Sequence, residues 1–65
     1  MPQYLIGYTP ENEGRQERIF LAPGDSEAIE LAERGEIPEI GKPFRTDYIY
    51  KSTRGVLEIT FSKIR

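Results

Sequence analysis

The sequence predicts an α+β fold in the order β-β-α-β-β, with one helix lying on one face of a four-stranded sheet. Three observations predict it. Residues 25–35, DSEAIELAERG, place apolar side chains at helical spacing between a start signal and a stop signal. Four other segments, 3–8, 17–22, 44–51 and 56–64, are rich in aromatic and branched residues. The stretches between them hold Pro or Gly, the residues that break regular structure.

The helix is the element around which the strands are arranged. Asp25 is expected as its N-cap, its carboxylate accepting from a free backbone N–H of the first turn. Glu27 suits the positive end of the helix dipole. Ala28, Ile29, Leu31 and Ala32 fall on one side, and Glu27, Glu30, Glu33 and Arg34 on the other. Glu30 and Arg34 form an i, i+4 pair in the favoured orientation. Gly35 ends the helix because it accepts the left-handed conformation at no steric cost. A rod of roughly 15 Å is marginal alone, so its stripe must rest on the sheet.

In the first strand, Tyr4, Ile6 and Tyr8 share one face and Leu5 and Gly7 the other. Gly7 marks a bulge or a close backbone approach. Residues 9–16 read as a polar hairpin loop. In the second strand Ile19 and Leu21 oppose Phe20, and Pro23-Gly24 then leads into the helix. Residues 35–44 hold Pro38 and Pro43, which disfavour helix in the residue before each, so this segment reads as an extended crossover anchored by Ile37 and Ile40. A four-residue loop, 52–55, joins the last two strands. It sets Tyr50 opposite Leu57, Tyr48 opposite Ile59 and Thr46 opposite Phe61, so that these apolar residues form the core face. The favoured strand order is 2-1-4-3, with the first and last strands parallel at the centre. It is β-grasp-like in its order of elements, and an antiparallel meander is the alternative.

Sixty-five residues make a single domain, 1–65, with little surface to bury. Apolar content of 37% with 31% charged residues suits a small folded domain and not a disordered tail. No apolar run is long enough to span a membrane, no leader is recognisable at the start, and the absence of cysteine fits a reducing compartment, so a cytoplasmic location is expected.

Without histidine or cysteine, the chain lacks the commonest general base, the thiolate nucleophile and the usual transition-metal ligands. The glutamates of the helix read as a solvated face, and no phosphate-cradling glycine motif is present. A non-enzymatic role without cofactor or metal is therefore expected. The net charge of −2 is unevenly spread: residues 1–41 hold nine acids and three bases, residues 42–65 two acids and six bases.

The sheet face away from the helix is expected to carry Leu5, Ile49 and Val56, rimmed by Arg45, Lys51 and Thr60, with Asp47 and Glu58 nearby. Together with Arg54 in the last turn this gives the expected partner-binding set: Leu5, Arg45, Ile49, Lys51, Arg54 and Val56. An apolar patch with a polar rim suits a binding module acting through protein–protein contact, of the regulator or inhibitor type that phages and mobile elements encode. Nucleic-acid or nucleotide binding through the basic hairpin 44–64, where Tyr48 and Tyr50 lie among Arg45, Lys51, Arg54, Lys63 and Arg65, is the alternative. Self-association as a structural subunit is a second alternative. The register that makes both tyrosines core, and the overall acidity, favour a protein partner or a second copy over nucleic acid.

Overall fold

Four strands and one helix form in the order expected: β1 (Gln3–Thr9), β2 (Gln16–Leu21), α1 (Asp25–Arg34), β3 (Arg45–Thr53) and β4 (Val56–Ser62). The computed structural model describes residues 1–42 and 45–62. The expected start of the third strand at Phe44 and the end of the fourth at Lys63 and Ile64 lie outside them, as does Arg65.

The strands make one antiparallel sheet in the order β2-β1-β3-β4. The expected order 2-1-4-3 is not formed, and neither is the meander. The first and third strands meet at the centre, antiparallel, with Ile6 opposite Ile49 and Leu5 opposite Tyr50. This order follows from the two hairpins. Each is closed locally, and after α1 the chain returns so that β3, and not β4, lies against β1.

The helix ends as its sequence requires, but it begins differently. Gly24 is the N-cap, in extended backbone, and makes no side-chain bond. Asp25 is already helical, and its Oδ1 accepts instead from the Tyr4 hydroxyl at 2.8 Å, tying α1 to β1. Gly35 takes φ 73°, and the N–H of Glu36 returns to the Leu31 carbonyl at 2.9 Å, closing the last turn. Glu30 and Arg34 do pair, at 3.7 Å, but both are well exposed, so the pair adds at most about 0.5 kcal/mol.

The core lies between α1 and one face of the sheet. Tyr4, Ile6, Tyr8, Phe20 and Ile49 come from strands, Ala22 from just beyond β2, Ala28 and Ala32 from α1, and Ile37 from the crossover. Tyr4 and Phe20 stack with ring centroids 5.8 Å apart. The buried stripe of the helix is therefore its two alanines. Ile29 and Leu31 pack only partly buried at the rim. Small helical side chains allow a close approach to the sheet, and Ile49 lies in the same buried cluster as the two alanines.

That packing inverts the face expected for β3. Ile49 is 1% exposed in the core, whereas Tyr48 and Tyr50 point to the other side. The crossover is not simply extended: Ile37 and Gly41 bridge around a tight turn in which Glu39 takes φ 74°. Ile37 and Ile40 do anchor it on the core.

The β3–β4 hairpin also differs in register. Its turn is the two residues Arg54 and Gly55, both at positive φ, 51° and 82°, as a type I′ turn requires. Thr53 thus pairs with Val56 and Tyr50 with Ile59. Between Ile49 and Tyr50 the register shifts, so that Phe61 lies opposite Ile49 and packs against the core. Leu57 and Ile59, expected in the core, share the open face with Tyr50.

Candidate docking face of the sheet

Strand alternation and register build the open face row by row. One row crosses all four strands as Ile19, Leu5, Tyr50 and Ile59. The next holds Leu21, Gln3, Ser52 and Leu57. On the opposite side of the first row lie Glu17, Gly7, Tyr48 and Ser62. The face is apolar along its middle row, mixed at one end, where Leu21 and Leu57 flank Gln3 and Ser52, and polar at the other.

The apolar side chains are wet. Ile19 is 59% exposed, Leu21 52%, Leu57 51% and Ile59 68%. On β2 and β4 more aliphatic surface faces away from the helix than toward it. Single exposed leucines are ordinary, but six neighbouring apolar positions make a patch of the kind that marks an interaction surface.

At the polar end Tyr48 lies flat. Its ring crosses the backbone of Gly7, and its hydroxyl donates to Glu17 on β2. The Arg15 guanidinium sits over the ring, 5.6 Å from its centroid. Only a glycine at position 7 leaves room for this crossing, which accounts for the close approach expected there. Tyr48 and Tyr50 are neighbours, with centroids 5.0 Å apart.

Asp47 closes this end. It stands where the β1–β3 register shifts and is 3% exposed. Its carboxylate accepts from the Thr9 hydroxyl at 2.8 Å and from Arg45 Nε at 2.9 Å, and Arg15 Nε lies 3.4 Å away. Burial pushes the Asp47 carboxyl up, but the Thr9 hydroxyl and the Arg45 and Arg15 guanidiniums outweigh it and hold it below its ordinary value. Arg15 and Arg45 balance Asp47 and Glu17, so the open face carries no net charge among these groups.

The expected binding residues do not form one patch. Leu5 lies half-buried at the centre of the open face. Arg45 is exposed at its polar end, committed to Asp47. Ile49 is core and is not available to a partner. Lys51 is half-buried on the helix side, opposite Tyr4 and Glu58. Arg54 is exposed in the turn, and Val56, though 61% exposed, lies opposite Thr53 on the helix side. The basic hairpin is thereby divided between two faces. Sequence reading missed Ile19, Leu21, Leu57 and Ile59, and it placed Tyr48 and Tyr50 in the core or, in the alternative reading, on a nucleic-acid surface. The available signal was β2, where Ile19 and Leu21 outnumber Phe20.

Among the described residues, no group of three or more Asp or Glu side chains is placed to hold a metal ion, and no helix is long and apolar enough to cross a membrane. Compared with known protein families, curated proteins and solved structures, the chain matches none.

Proposed function

We propose that this chain is a non-enzymatic binding module that works by contact, docking an apolar protein surface on the open face of its sheet. The row Ile19–Leu5–Tyr50–Ile59, flanked by Leu21 and Leu57, supports this reading. Fully burying a Leu or Ile is worth about 1.5–3 kcal/mol, so four such side chains left about half exposed keep on the order of 4 kcal/mol available to a partner. That gain is largest for a partner that is itself apolar and brings no unpaired charge.

One observation favours a second reading. Tyr48 and Tyr50 stand together on an open antiparallel sheet with Arg15 over one ring, an arrangement on which nucleic-acid bases can stack. Against it, aliphatic residues surround Tyr50, Glu17 holds the Tyr48 hydroxyl, and the chain is acidic overall.

The test compares the wild-type chain with Ile19→Lys/Ile59→Lys, immobilised and exposed to extract of the source cell. Both positions are exposed, so circular dichroism should stay native. A protein retained by the wild type and lost by the variant supports protein docking. Equal retention by both moves the docking site off this face. Retention abolished by nuclease, with affinity for single-stranded oligonucleotides that falls steeply with salt, replaces the first reading by the second.

A further inference from the structure

We infer that the partner which fits the open face is a second copy of this chain, packed face to face about a two-fold axis running along the strands between β1 and β3. This rests on the reading of the face as a protein-docking surface and names its occupant.

The first ground is the layout of the face. Its two edges match: β2 presents Ile19 and Leu21, and β4 presents Ile59 and Leu57 in the same two rows. A half-turn about an axis along the strands exchanges β2 with β4 and β1 with β3, and keeps every residue at its height along the strand. Ile19 then meets Ile59 of the second copy, Leu21 meets Leu57, and Leu5 meets Tyr50. The row of Gln3 and Ser52 meets itself, and so does the polar end. A closed two-fold interface requires this self-matching, in which residue i meets j and j meets i. The rotation of about 30° between stacked sheets is small enough to keep these rows in contact.

The second ground is charge. Two copies of a chain of net charge −2 repel each other least when neutral faces meet and the acids stay far apart. On the open face Arg15 and Arg45 balance Glu17 and Asp47, and all four are engaged within the chain. The acids of the helix, Asp25, Glu27, Glu30 and Glu33, lie in the layer on the other side of the sheet. Face-to-face packing therefore carries them to opposite outer surfaces of the pair.

The third ground is size. Strands about 4.8 Å apart and about five residues deep at ~3.3 Å each give a flat footprint of roughly 300 Å² before side-chain relief. Counted on both copies, at about 600 Å², this lies below the standard specific interface and marks a weak, reversible association that forms only at high chain concentration.

Sedimentation equilibrium from about 5 μM to 1 mM tests this against a matched pair of variants. Wild type should pass from monomer to dimer within that range. Ile19→Glu and Ile59→Lys should each fold and remain monomeric, because each sets a charge against an isoleucine of its copy. Mixed in equal amounts they should pair, since Glu at 19 of one chain then faces Lys at 59 of the other while the remaining Ile19 and Ile59 still meet. If either variant loses its native circular dichroism, Leu21→Glu and Leu57→Lys form the next matched pair. A wild type that stays monomeric at 1 mM overturns the proposal. So does dimerisation that survives both single substitutions, or a mixture that fails to pair. A monomeric wild type that still captures another protein through Ile19 and Ile59 overturns only the second copy as occupant; one that captures nothing overturns the docking reading as well.

Discussion

The Tyr48 ring lies on Gly7 so closely that a Cβ at position 7 would collide with its Cζ. Ring and glycine belong to neighbouring central strands, and the ring bridges onward to Glu17 on the edge. Gly7→Ala should therefore displace the ring and cost about 1–3 kcal/mol. In a Tyr48→Ala background the same change should be neutral or gain up to about 1 kcal/mol, because the loss of backbone freedom in the unfolded chain then goes unopposed. Urea titration of the four proteins measures the coupling. Additive effects would mean that the ring does not occupy this place.

The turn at Arg54-Gly55 uses positive φ at both positions, where arginine is a poor choice and asparagine a good one. Arg54→Asn should raise stability by about 0.5–1 kcal/mol. Self-association should not change, since Arg54 lies off the open face. An unchanged urea midpoint would argue against a two-residue turn and for the longer loop.

Helix packing predicts an order of sensitivities. Ala28 is fully buried, so Ala28→Leu should overpack the core and cost about 1–3 kcal/mol or more. Leu31 is only partly buried, and Leu31→Ala should cost about 1–2 kcal/mol, below the range for a buried leucine. Glu30→Ala should cost under about 0.5 kcal/mol. Thermal and urea melts give the ranking, and a Leu31 effect larger than that at Ala28 would mean the helix is rotated.

Asp47 links stability to acid. Its carboxyl is held below its ordinary value of 3.8, so the folded chain binds its proton less readily than the unfolded chain does. The resulting contribution is present above pH 3.8 and is lost as pH falls through the lower folded value. Asp47→Asn should be less stable than wild type at neutral pH, and its stability should fall less between pH 5 and pH 3. Parallel acid slopes for the two proteins would show that the carboxylate is not held by Thr9, Arg45 and Arg15.

The elements were legible in the sequence because their signals are local. Gly35 stopped the helix, the polar stretch after Thr9 made a loop, and alternation in β1 put Tyr4 and Ile6 inward. What was not legible depends on contacts between elements. Nothing near Tyr48 or Tyr50 says that two tyrosines will face away from the helix, since β3 carries apolar residues on both sides. The choice is made by packing between elements, where Ile49 joins Ala28 and Ala32 in one buried cluster. Register was missed for a related reason. A two-residue turn and a four-residue loop keep the same residues on one face, so alternation cannot distinguish them, and the extra residue between Ile49 and Tyr50 on the β4 side then moves Phe61 inward. The candidate face inherited the first error: Leu5 was placed correctly by its own strand, while Ile49 and Val56 share a face that turns toward the helix and not away from it.

The pairing of β1 with β3 also sets how the chain must fold. Gln3 lies opposite Ser52, so the central seam joins residues from nearly opposite ends of the sequence. Each hairpin can close early through neighbours along the chain, but neither has a covered side until the seam forms. The entropy of closing that long loop is lost before the core compensates for it, which slows such topologies relative to helical domains of equal size. Until then each hairpin exposes an unpaired central edge bearing Tyr4 and Ile6, or Ile49, and a chain still lacking β3 can present that edge only to water or to another chain.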